Sequence, residues 1–293
     1  MDRSSIHAFS DGLSAGEWEQ LQIALGPNYT RRVVRAERLP LDYIAIRIPE
    51  MLPMYRHLMK TAHEIIAEAF SNRVITPGKT TTEDVVWWMR QKLQELGMTT
   101  WFQPSVDVQR IGNVPLQEPN PVIERGDVLH CDFGVTAMRL NTDTQHLGYV
   151  LRVGETDVPA GLKAVLAKSN RLQDIILQTM AVGKTGDQVL AESLTKMKSE
   201  GIEGSIYSHP VGEHGHGAGP LIGLWDRQMG VPGRGEVPII QNTWFSVELQ
   251  SAAPVTEWGG KTVRAPLEED VLVGAEGKVS WILQRQTSFL LVR

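Results

Sequence analysis

A single cysteine, Cys131, in 293 residues excludes an intramolecular disulfide and with it the small disulfide-framed folds. A reducing compartment is the default for such a chain. Long apolar runs are missing too. No stretch approaches the roughly 20 residues that a membrane-spanning helix needs, and Met1-Asp2-Arg3-Ser4 lacks the apolar segment of a secretion signal. A cytoplasmic protein without membrane partners is therefore expected. Blocks of basic residues are also absent, and the net charge is −5, which argues against nucleic acid as a partner. What remains, 42% hydrophobic and 22% charged, is ordinary for a globular chain long enough to bury one large core or two modest ones.

Helical periodicity is strongest over Met51 to Phe70, after Pro49-Glu50, with Leu52, Tyr55, Leu58, Met59, Ala62, Ile65, Ile66 and Ala69 on one face. Thr80 and Glu83 suggest a capping box for a second helix that ends at Gly97 and carries Trp87-Trp88 as core or interface anchors. Trp101 to Val108 and Val128 to Asp132 read as strands, separated by a proline-rich loop over Val114 to Pro121 and a turn at Arg125-Gly126-Asp127. A further helix pair follows, Pro159 to Met180 and Asp187 to Lys198. Gly183-Lys184-Thr185 and Gly201 there echo Gly78-Lys79-Thr80 and Gly97, which suggests two similar α/β halves facing each other. Residues 1–45 hold too little apolar material for a core of their own. They read as one short helix, Ser14 to Leu25, with a strand or two over Arg31 to Ile48.

Chemistry concentrates in four stretches. Asp132 ends an apolar strand and Asp143 follows eleven residues later; with a turn near Thr136 to Arg139, both carboxylates project into one space. Paired buried acids repel unless protons or a cation intervene. His209, His214 and His216 lie within a glycine-rich run, where any one of them could be a ligand. Glu248 sits in an apolar strand and shares a face with Ser246 and Gln250, whereas Glu268-Glu269-Asp270 precedes Val271-Leu272-Val273. Four carboxylates and one imidazole offer mostly hard oxygen ligands and suit two close divalent ions: Mn²⁺, Co²⁺, Fe²⁺ or Zn²⁺. Cys131, on the opposite strand face from Asp132, reads as core.

The set Asp132-Phe133-Gly134, Asp143, His209-x-x-Gly212, Val247-Glu248 and Glu268-x-x-Val271-Leu272-Val273 resembles the pita-bread metallopeptidases, among them methionine aminopeptidase, Xaa-Pro aminopeptidase and prolidase. The resemblance implies an α+β pita-bread (creatinase/aminopeptidase) fold over residues 46–293, two pseudo-symmetric halves around a curved antiparallel sheet. Residues 1–45 would be a remnant of an N-terminal domain or a linker, as in the proline-specific branch. It further implies two divalent metal ions. Asp132 would chelate one, Asp143 and Glu268 would bridge the pair, and His209 and Glu248 would complete the shells. Glu248 and His216 become the expected catalytic residues, and His216, His214 and Arg264 the expected substrate-binding ones.

The implied activity is hydrolysis of the N-terminal peptide bond of peptides or dipeptides, with Xaa-Pro preferred, and a homodimer is a compatible assembly. The family's upstream histidine has no counterpart in Asn113 to Gln117. Ser205 stands where the proline branch often has a histidine, and Arg264 is four rather than two residues before Glu268. Those differences touch substrate selection more than metal binding. Alternatives are a creatinase-like C–N hydrolase that needs no metal, and an inactive binding module.

Overall fold

Apart from the first helix, which buries none of its residues, the long helices lie where apolar residues recur every three to four positions, and each buries that stripe. The computed structural model describes residues 13–34, 36, 38–111 and 120–293. In order, the elements are α1 (Ala15–Thr30), α2 (Leu39–Ala45), α3 (Leu52–Ala69), α4 (Thr82–Glu95), β1 (Ser105–Gln109), β2 (Val128–Phe133), β3 (Thr136–Ala137), β4 (Leu140–Asn141) and β5 (Thr144–Val150). Then come α5 (Ala160–Thr179), α6 (Gly186–Ser199), β6 (Glu203–Ile206), β7 (His209–Val211), β8 (Thr243–Val255), β9 (Lys261–Val273), β10 (Val279–Trp281) and β11 (Leu290–Val292). On α3, Tyr55, Leu58, Met59, Ala62, Ile65, Ile66 and Ala69 are all buried, as their spacing requires. Pro53 sits in its first turn, where a missing N–H leaves no helical bond unmade.

One sheet carries the strand order β1-β2-β5-β9-β8-β6, with β7 added on β8, β10 on β9 and β11 on β5. Every pairing is antiparallel except β11 with β5, which is parallel, so the sheet is mixed rather than wholly antiparallel. The fold is the α+β pita-bread architecture. Its core has three parts: one beneath α3 and α4, one beneath α5 and α6, and one between α5 and the ends of β5, β8 and β9.

The repeated glycine signals mark equivalent joints in the two halves. Gly78 N–H donates to Ile123 O at 2.8 Å and Gly183 N–H donates to Ile239 O at 2.9 Å. Gly97 and Gly201 both have positive φ, 68° and 65°, and close their helices alike. Met98 N–H bonds Leu93 O and Ile202 N–H bonds Met197 O, the six-to-one bond of a left-handed glycine cap. The capping boxes correspond too, but the first is Thr81 with Asp84 rather than Thr80 with Glu83, matching Thr185 with Gln188.

Four further expectations need correcting. Residues 39–45 form helix α2 rather than a strand, because Pro40 falls in a helical first turn and the chain turns extended only at Ile46. Helix α1 runs on past Leu25 to Thr30 through a kink at Gly26-Pro27. Trp88 packs on the core beneath α3 and α4, but Trp87 is exposed with the Arg90 guanidinium 4.4 Å from its ring centre. Trp101 precedes rather than begins β1. Most of the proline-rich loop over 114–121 and the 113–117 segment lie outside the described residues. Among the described residues no helix is long and apolar enough to cross a membrane.

Candidate metal centre

Cross-strand register builds the site. Asp132 pairs with Gln145, Gln145 with Glu268 and Glu268 with Glu248, so one row of four side chains crosses β2, β5, β9 and β8 on a single face. Side chains directly opposite in such a row stand only about 4.5–5.5 Å apart at Cβ, and like charges there are destabilising. The neighbouring row adds His209 opposite Ser246. Asp143 precedes β5 and lies two residues before Gln145. All five expected ligands converge: ligating atoms of Asp132, Asp143 and Glu268 lie within 4.8 Å of one another, as do those of His209, Glu248 and Glu268. The His209 Nε2 is 3.4 Å from Asp143 Oδ2, 3.3 Å from Glu268 Oε1 and 3.9 Å from Glu248 Oε2.

The electrostatics are those of a site short of positive charge. Burial, and then the charge of Glu268, pushes Asp132 up to about 7 and holds Asp143 and Glu248 well above the usual carboxylate range. Burial alone would lower His209, but the carboxylates of Asp143 and Glu268 outweigh it and raise the imidazole well above its ordinary value. Asp132 Oδ1, Asp143 Oδ1 and His209 Nε2 are buried without a hydrogen-bond partner. Orphaned donor atoms of this kind are costly unless something absent from the protein meets them. Four oxygen-bearing residues and one imidazole fit a pair of divalent cations, and two such cations supply the missing charge.

Several supporting residues escaped the sequence. Gln145 donates its side-chain amide to Glu248 and, at 2.9 Å, to Glu268, while its oxygen meets His130 Nε2 at 2.9 Å. It lies two residues past Asp143 on the same strand face, a period-two signal that could have flagged it. Ser246 donates to Glu268 Oε1 at 2.6 Å. Asp270 accepts the Tyr55 hydroxyl at 2.8 Å and the Asp143 N–H at 3.3 Å, anchoring the backbone of a ligand. Burial and the nearby Glu248 charge push the Tyr207 hydroxyl up, which places that ring beside the site.

The mouth is formed by His216 and Trp101. His216 is exposed, edge-on to both Trp101 (5.1 Å between ring centres) and His209 (4.5 Å), and groups with Asp143 and His209. Loss of water around the part of the ring packed against its neighbours, reinforced by the charge of His209, pushes His216 down to about 4. A Cβ on Gly215 would strike the Trp101 ring at 2.1 Å, so only glycine lets this loop close over the indole. His214 is exposed and joins none of the ligating clusters among the described residues. Arg264 is exposed on the Glu268 side of β9, where its charge reaches Tyr207. Cys131 is fully buried on the other face, and burial pushes its thiol up, which leaves it inert core.

Metal-free protein is expected to lose stability as pH rises from 5 to 8. Asp132 holds its proton up to about 7 when folded, against about 3.9 unfolded. The folded state therefore binds more protons across that window, and raising the pH penalises it. Asp143 and Glu248 act in the same direction. His209, raised in the fold, contributes stability that fades as pH climbs through its folded value. Thermal melts in chelator should show a falling midpoint from pH 5 to 8, and Mn²⁺ should remove that fall. A metal-free midpoint that rises over this range would contradict the geometry.

A row of mutually repelling buried carboxylates, completed by one imidazole on a pita-bread sheet, defines a metal-dependent peptidase. The chain belongs to Metallopeptidase family M24, whose sequence model matches residues 57–275. Among solved structures it is similar to X-Pro aminopeptidase from Thermotoga maritima MSB8, at 19% identity and TM-score 0.69, covering 96% of this chain and 73% of that one. It is also similar to prolidase from Pyrococcus furiosus, at 17% identity and TM-score 0.61, covering 94% and 75%. Methionine aminopeptidase from Thermotoga maritima gives 21% identity and TM-score 0.56, covering 83% of this chain and all (100%) of that one. No curated protein shows significant sequence similarity to the chain.

Proposed function

We propose that the protein hydrolyses the N-terminal peptide bond of short peptides or dipeptides, with Xaa-Pro bonds preferred. The convergence of Asp132, Asp143, His209, Glu248 and Glu268, with buried donor atoms left unpartnered, carries this reading. These five residues would hold two divalent ions. When bound, the pair supplies Lewis acidity that lowers the pKa of a water and polarises a carbonyl.

Glu248 is, with Asp132, one of the two partly exposed members of the set: its side chain is 16% exposed, against 5% for Asp143, 3% for His209 and 1% for Glu268. It can therefore meet solvent and substrate, take a proton and return it to the leaving nitrogen. His216, neutral above pH 4, can donate a ring N–H to a substrate carbonyl at the mouth. Trp101 fixes the plane of that imidazole from one side. Arg264 and His214, both exposed, would contact the substrate farther out.

The proline preference draws on the likeness to an X-Pro aminopeptidase and a prolidase, each matched over more than nine-tenths of this chain. Protein loaded with Mn²⁺ or Co²⁺ should cleave Xaa-Pro dipeptides or longer Xaa-Pro peptides and lose that activity in chelator. Cleavage confined to peptides without proline at the second position would overturn the preference. A metal-loaded protein with no turnover of any peptide would overturn the peptidase reading.

A further inference from the structure

On the opposite face of the same strands a second set of ligating side chains meets. His63 on α3, His146 on β5 and Glu269 on β9 bring two imidazole nitrogens and a carboxylate within 4.8 Å of one another. Each imidazole addresses its own oxygen of the one carboxylate: His63 Nε2 lies 3.0 Å from Glu269 Oε2, and His146 Nε2 lies 2.5 Å from Oε1. The rings stand 4.7 Å apart at 57°. Glu269 and His146 are nearly closed off, with side chains 2% and 8% exposed, while His63 at 14% leaves a way in from solvent.

The Glu269 carboxylate lies between the two imidazoles, closed off from solvent. Its ion-pair partners among the described residues are these two imidazoles, with no lysine or arginine. A buried carboxylate needs a positive charge beside it, and a divalent cation supplies that charge without protonating either imidazole. Two imidazole nitrogens and a carboxylate are the donor set of an open tetrahedral zinc site, with bonds of about 2.0–2.2 Å and a fourth position for water. Such bonds place neighbouring donor atoms roughly 3.3–3.6 Å apart, so an ion would move His146 and Glu269 apart by about an ångström and His63 by about half that.

The position gives the ion something to hold. Strands β5 and β9 share a single ladder pair, Gln145 with Glu268. The flanking residues His146 and Glu269 clasp that seam from behind, and His63 ties α3 to it. We propose that His63, His146 and Glu269 form a further cation site for Zn²⁺ or a similar borderline divalent ion, separate from the centre on the front of the sheet. Its role is structural: it rivets α3, β5 and β9 where two front-face residues, Gln145 and Glu268, pair. The proposal does not depend on the peptidase reading.

The full chain, stripped by chelation, reloaded with Zn²⁺ and desalted, tests it by metal analysis. The double variant Asp132→Asn/Asp143→Asn, which disarms the front site, should retain one Zn²⁺ per chain through the rear site. Adding His63→Gln to it should remove that equivalent, while glutamine keeps a hydrogen bond for Glu269 and a good helix former in α3. In the otherwise native protein, His63→Gln should bind one equivalent fewer than the parent. Co²⁺ should report the same loss as a fall in the visible absorption of a tetrahedral site. Equal metal content and equal Co²⁺ spectra with and without His63→Gln, in protein of native circular dichroism, would overturn the site and leave a hydrogen-bonded triad. Loss of peptidase activity in the front-site variant bears only on the proposed function.

Discussion

Glu248→Gln is expected to lower kcat by about 10²–10⁴-fold, the usual contribution of a positioned acid–base group, with little change in KM and with divalent ions still bound. Glutamine matches the side chain in size and keeps one oxygen to accept the Gln145 amide, so the site's outline survives. What it loses is the ability to hold and release a proton. Glu248 is placed for that task, since it is buried enough for its proton affinity to be raised and open enough to touch substrate. Steady-state kinetics on a metal-loaded Xaa-Pro peptide, beside metal analysis of the same sample, check both halves. A variant with native kcat would remove Glu248 from the chemistry.

Glu268→Gln should reverse the order of stabilities between metal-free and metal-loaded protein. Glu268 meets His209, Gln145 and Ser246, and its charge raises the proton affinity of Asp132, Asp143 and Glu248 alike. In chelator, neutralising it relieves that repulsion, and the variant should melt above the parent at pH 8. With Mn²⁺ at a hundredfold excess over its dissociation constant the parent should gain about 2.7 kcal/mol. The variant, having lost a carboxylate shared by two ligating clusters, should gain little and show no turnover. Equal Mn²⁺-induced shifts in the two proteins would remove Glu268 from the metal shells.

The residues that converge at the front site were legible because most of them break a local rule. Asp132, Glu248 and Glu268 are acids inside apolar strands, and such anomalies are conspicuous in one dimension. The helix pairs were legible from their periodicity and glycine stops, and their duplicated joints identified the two halves. Residues that act through another strand were not. Gln145 is unremarkable until β5 is laid between β2 and β9, and Trp101 reaches His216 across more than a hundred residues. The rear triad draws His63, His146 and Glu269 from three distant segments, with no local spacing to expose them. Helix α2 was misread because Ile44, Ile46 and Ile48 alternate like a strand, whereas the first of them lies in the last turn of a helix that runs from Leu39 to Ala45. Propensity and short-range pattern yield to tertiary context most readily in such brief elements.

Crystals of the native chain grown with Mn²⁺, measured for anomalous scattering, address the front site most directly. The expected map shows two strong peaks about 3.5–4 Å apart, one beside Asp132 and one beside His209 and Glu248, with Asp143 and Glu268 between them. A map without peaks among these five side chains, from protein that nevertheless hydrolyses peptides in a Mn²⁺-dependent way, would contradict the assignment of this site.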